Sequence, residues 1–225
     1  MIAFALPDPL SLIVLTGVLA LAPFFAIMAT SYVKLVVILS LVRNALGIQQ
    51  IPPNMVLNGI AVVLTVYIMA PVGQKTFQNI ETAMVGKSLK DMDAQQLKGV
   101  LSSVSQPLHD FMNHFTSDRD KQFFVDNAER LWGKDSDIKV SKDSFFTLVP
   151  AFTVSELTTA FQIGFLLYLP FIAIDLIVSN ILLAMGMMMV SPMTISLPFK
   201  LLLFVLLDGW ARLIYGVVLT YTIPA

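Results

Sequence analysis

The sequence predicts an all-α protein, with polytopic hydrophobic helical hairpins on either side of a helical polar insert. Three observations carry that reading. Hydrophobic residues make up 56% of the chain and charged residues 13%, with a mean hydropathy of +0.79, whereas a soluble domain carries about 25% charge. The charges are also segregated. Residues 1–74 hold Asp8, Lys34 and Arg43, residues 148–225 hold Glu156, Asp175, Lys200, Asp208 and Arg212, and every other charge lies between 75 and 143. Finally, the apolar runs have the length of helices that cross about 30 Å of hydrocarbon. Hydropathy therefore counts four membrane-span-like segments, in an N-terminal hairpin (1–74) and a C-terminal hairpin (148–225) around the insert (75–147). The net charge of −1 offers no basic patch for nucleic acid. Zero cysteines exclude disulfides and thiolate metal sites.

The first residues, MIAFALPDPL, lack the basic n-region of a secretory signal. Ala20-Leu21-Ala22 has the small-x-small form of a cleavage site, but Pro23 follows, so the segment is read as uncleaved. Residues 10–33 are long enough for one span, and the apolar run continues past Lys34 to residue 42. A lysine within an apolar helix costs about 2.5–3.5 kcal/mol at the bilayer centre. Lys34 is therefore expected to snorkel to the interface, the alternative being a protein partner. Residues 44–54 read as a turn, with Gly47 ending a helix and Pro52-Pro53 delaying the next. Gln49 and Gln50 are polar without charge and suit exposed backbone of a neighbour. A second apolar segment, 55–70, is expected to end at Pro71 and Gly73.

The insert reads as helical. Leu108, Phe111, Met112 and Phe115 recur at helix spacing, with Ser105 as N-cap and Pro107 in the first turn. A second helix begins after Ser117, turns Phe124, Ala128 and Leu131 inward, and ends at Gly133. His109 and His114 are five apart, on different faces of a helix, and do not form a metal pair.

Beyond Pro150 the chain turns apolar again, and the run from 157 to 190 contains Pro170 as an expected kink. It ends in Met185-Gly186-Met187-Met188-Met189, with Met193 close behind and Pro192 and Pro198 opening the last segment. Methionine is unbranched and repacks around changing contours. Such a cluster beside a glycine suits a surface that deforms, where the plainer reading is ordinary core filling. The last segment, 195–223, carries Asp208 and Arg212 four apart with the acid first, the favourable order for a same-face pair. Arg43 (with Lys34 near it) and Lys200 fall on one side of the membrane, which the positive-inside rule makes cytoplasmic. The insert and both termini are then periplasmic.

No glycine-rich phosphate loop, HExxH or G-x-S-x-G occurs, so no enzyme is predicted and no cofactor is implied. The charges inside apolar segments are better clues, because such residues pair or serve a function. Glu156, Asp175, Lys200, Asp208 and Arg212 number three acids to two bases, which favours ion pairs between helices or subunits. A second class of function is a small ion or proton channel or carrier with Asp175 and Glu156 as a relay. It would need related halves with broken helices at the midplane, and the two outer thirds share no repeated motif.

The strings FQIGF, LPF-x-x-I-D-L, MGMMM, S-P-M-T-I-S-L-P-F-K-L-L-L-F and DGW stand in order between 161 and 210, after LVRNALGIQQIPPN and PAF-x-x-SEL. In these the chain resembles the FliP/YscR family, the export-gate proteins of type III secretion. The resemblance spans both apolar thirds and matches the insert only loosely. It implies a pore-lining subunit of the export apparatus in the bacterial inner membrane, through which unfolded proteins pass. It further implies a homo-oligomer, a pentamer, joined by FliQ/YscS-family and FliR/YscT-family subunits, other export apparatus proteins and membrane lipid, in a helical cone projecting to the periplasmic side. Met185, Met187, Met188 and Met189 of neighbouring copies would meet as a gasket, and Glu156 and Lys200 would pair within or between subunits. Flagellar members usually carry a cleavable leader, so its absence favours the virulence branch, the injectisome.

Overall fold

The computed structural model describes residues 9–48, 50–84, 94–132 and 141–222. Within them are eight helices and no strand: α1 (Pro9–Met28), α2 (Tyr32–Ala45), α3 (Asn54–Met84), α4 (Ala94–Phe115), α5 (Asp118–Trp132), α6 (Phe145–Ala184), α7 (Pro192–Leu206) and α8 (Gly209–Leu219). Gln49, read as a ligand for a neighbour's backbone, and Gly133, read as a helix end, lie outside the described residues.

The molecule is built around α2, the helix whose burial is most complete. Leu35, Ile38, Leu39, Val42 and Ala45 are buried on it. They pack with Leu57 and Ala61 of α3, Ala160 and Phe171 of α6, and Leu213 and Val217 of α8. The long α6, about 60 Å at 1.5 Å per residue, is its main neighbour. Close approach there depends on Gly164: a Cβ on it would lie 2.3 Å from Leu41 Cδ1 and 3.2 Å from Leu41 Cβ. Rotation of Leu41 relieves the first contact and not the second. Gly164→Ala is therefore expected to push α2 from α6 at a cost of about 1–3 kcal/mol, read as a lower unfolding temperature of the purified chain in detergent. A second cluster joins Ala29, Phe111 and Met112 of α4, Leu148 and Phe152 of α6, and Tyr221.

Several expectations change. The N-terminal apolar run is two helices, broken at Ala29–Ser31, and α2 has only 14 residues. The last segment is also two helices, bent by 61° at residues 207–208. Among the described residues α3 and α6 are long and apolar enough to cross a membrane, and α7 with α8 make a third if taken as one span. The four segments counted from hydropathy are not confirmed among the described residues: the first apolar run is divided at residues 29–31 and the last at 207–208. Pro71 does not end α3, which continues to Met84, and Pro107 lies inside α4 rather than in its first turn. A proline inside a helix removes one backbone bond, and neighbouring turns and packing hold the rest. In the insert, Phe111 and Met112 are buried as expected and Ala128 faces inward, but Leu131 is 75% exposed.

Candidate functional site

Two ion pairs brace the two ends of α2. Near its start, Lys34 is 2% exposed and its Nζ lies 2.9 Å from Glu156 Oε1 of α6. Tyr221 donates its hydroxyl to the other carboxylate oxygen, and its ring lies under the ammonium at 4.0 Å. Every charge in this group is thus met: the cation by a carboxylate and an aromatic face, the anion by an ammonium and a phenol. Tyr221 serves as the donor, because the carboxylate it faces only accepts. Lys34 does not snorkel. Its partner is within its own chain, because the run around it folds inside the protein.

At the other end of α2, Lys200 of α7 donates to Asp175 Oδ2 of α6 at 2.6 Å and to the Ala45 carbonyl at 3.3 Å. That carbonyl belongs to the last turn of α2, where backbone oxygens lack helical partners and the dipole favours a cation. Ser196 donates to Asp175 Oδ1 at 2.5 Å, one turn before Lys200 on the same helix. Beside this, Arg43 donates to the Pro52 carbonyl at 3.2 Å and to Asn54 Oδ1 at 2.6 Å. It thereby fastens the turn between α2 and α3. Two of the three basic residues used for orientation, Lys34 and Lys200, are therefore buried in pairs and do not count as loop charges, so the positive-inside argument loses its basis.

Glu156 and Asp175 are each held by a separate lysine, so the expected pairing of Glu156 with Lys200 is not formed: α6 carries the two acids to opposite ends of α2, where Lys34 and Lys200 meet them singly. Asp208 and Arg212 behave differently. Asp208 stands at the break before α8 with φ 50°, off the helix that carries Arg212. No ion pair joins the two, among the described residues, so the expected same-face pair is not formed. Arg212 is exposed.

The methionine turn joins α6 to α7. Gly186 takes φ 73°, which glycine adopts without cost. Its N–H donates to the Leu183 carbonyl at 3.0 Å and that of Met187 to the Leu182 carbonyl at 2.9 Å, the paired bonds of a Schellman helix end. Pro192 then opens α7 at its first turn, where its missing N–H costs nothing. The turn is thus fixed in its backbone, while its side chains are free. Met188 is 81% and Met189 100% exposed, with Met185, Met187 and Met193 exposed beside them. None fills a core within this chain.

Sequence reasoning missed Tyr221 and Ser196 and misplaced Lys34. No group of three His, Cys, Asp or Glu residues forms a metal site among the described residues.

Comparison with known proteins places this geometry in a family. The FliP family model matches residues 14–217. The chain is 53% identical to the Yop proteins translocation protein R of Yersinia pestis, over 96% of this chain and 98% of that one. It is 47% identical to the hypersensitivity response secretion protein HrcR of Ralstonia nicotianae, over 94% and 96%. Identity to the virulence protein YscR of Salmonella typhimurium is 46%, over 92% and 94%.

Proposed function

The chain belongs to the FliP family, and from that premise we propose that it is a pore-lining structural subunit of a type III secretion export apparatus. It forms, with further copies of itself, a gated entry for unfolded polypeptides across the bacterial inner membrane. The relatives named for translocation and secretion support the apparatus. The observation that carries the gate is the exposed methionine turn, held on a fixed backbone at the end of a helix about 60 Å long. A ring of such turns closes against ions by dewetting and adapts to a passing chain because methionine has no fixed shape. The exposed apolar faces of α3 and α6, including Val63, Val66, Phe161 and Phe165, meet neighbouring copies, the FliQ/YscS-family and FliR/YscT-family subunits, and lipid. The assembly is a pentamer whose core projects to the periplasmic side. The two buried ion pairs keep each subunit's helices in register rather than carrying ions.

Imaging of the detergent-purified protein, alone and with the two smaller partners, tests this reading. Rings of several copies around one axis are the expected result. A monomer under both conditions contradicts it.

A further inference from the structure

At the elbow between α7 and α8 lies a cavity of about 390 Å³, a size typical of small-ligand sites, about 300–1,000 Å³. Its walls are apolar: Leu167 and Phe171 of α6, Phe204 of α7, and Leu213 and Val217 of α8. Two polar side chains reach it, Arg212 and Thr220. The Thr220 hydroxyl already donates to the Val217 carbonyl at 2.7 Å. Arg212 is exposed and forms no ion pair, among the described residues, since Asp208 stands off the helix. An apolar slot with one free guanidinium at its edge matches an amphiphile with an anionic head, and not a neutral or cationic one. Arginine's planar fork suits phosphate in particular. The helices that form the elbow are, taken together, apolar enough to lie in hydrocarbon, which sets such an amphiphile beside them.

We infer that this cavity holds an acyl chain of an anionic phospholipid whose phosphate is bound by Arg212. The lipid fills the wedge opened by the 61° bend and braces α8 against α6 and α7. The inference needs lipid near the elbow and does not depend on the methionine gate. Its test on the single chain therefore fails or succeeds separately from any conductance measurement.

Trp210 supplies the probe, being in edge contact with Phe204 of the cavity wall, with ring centres 5.4 Å apart. The chain has two tryptophans, so Trp132→Phe leaves Trp210 as the sole emitter. The purified full chain in neutral detergent is titrated with dibrominated phosphatidylglycerol or dibrominated phosphatidylcholine, and quenching is followed. Saturable quenching is expected, with a midpoint about tenfold lower for phosphatidylglycerol: both heads carry a phosphate, but the choline ammonium sets a second cation beside Arg212 and offsets the attraction. Arg212→Gln should bring the two lipids to the same midpoint, while Arg212→Lys keeps most of the preference. Gly216 also lines the cavity, and a Cβ on it would meet nothing within 4 Å. Gly216→Leu should thus fill the slot and remove the saturable quenching by both lipids, with helix content unchanged by circular dichroism. Equal midpoints in the parent chain overturn the inference, as does quenching that Gly216→Leu leaves intact. Absence of saturable quenching in the parent overturns it too, and leaves the cavity to a protein neighbour.

Discussion

Glu156→Ala is expected to cost about 3–5 kcal/mol and to abolish stable assembly, the largest effect of any single substitution in this chain. The carboxylate is 1% exposed and accepts from both Lys34 and Tyr221. Deleting it leaves an ammonium that is 2% exposed with no anion, and a buried phenol with no acceptor. Neither can reach water without parting α2 from α6. Lys34→Ala should fail for the mirror reason. The double change Lys34→Met with Glu156→Leu removes both charges and keeps the volume, so it should recover part of the loss, the remaining cost of about 1–3 kcal/mol belonging to the Tyr221 hydroxyl left without an acceptor. Unfolding temperature and complex yield, measured on the two single variants and the double, form the check. Single variants that unfold and assemble like the parent would refute the buried-pair account.

At the far end of α2 the two partners should be unequal. The Lys200 side chain is 3% exposed and that of Asp175 35%. Removing the more exposed partner strands the buried one. Asp175→Ala leaves a buried ammonium with only the Ala45 carbonyl, and is expected to cost about 3 kcal/mol, the low end for breaking a buried pair. Lys200→Ala leaves a carboxylate that can hydrate and still accepts from Ser196, with the Ala45 carbonyl unpaired, for about 1–2 kcal/mol. Denaturation of the two variants side by side gives the order. A larger loss for Lys200→Ala would contradict the geometry.

Local features of this chain were legible in its residues. Gly186 and Pro192 mark the end of one helix and the start of the next because φ above zero and a missing N–H are properties of single residues. The division between apolar thirds and polar insert follows from where charges can be solvated. What could not be read depends on contacts distant in sequence. Lys34 and Glu156 share no spacing that a helix or turn would impose, and the segments that carry them meet only after α2 has packed on α6. Pro71 reads as the end of one helix and Pro107 as part of the first turn of another. Each costs one backbone bond, and helices of 31 and 22 residues carry that loss. The break at Asp208 carries one local signal, the Asp208-Gly209 pair of a turn, set within an apolar run, and aspartate is one of the few residues that tolerate the left-handed region. Arg212 was therefore assigned a partner that the bend removes.

The central claim is that the exposed methionines close a channel. Replacing Met187, Met188 and Met189 together by alanine shortens three side chains that touch no core, so subunits should fold and assemble at normal yield. The ring they form would then be wide enough to wet, and a hydrophobic constriction that wets no longer excludes ions. Conductance of membranes carrying the assembled complex in its resting state is the measurement that bears on this most directly, taken with complex yield for the same triple variant. The account predicts normal yield with a raised resting ion leak. Parental conductance with a collapsed complex, the outcome of cavities left in a core, would contradict it.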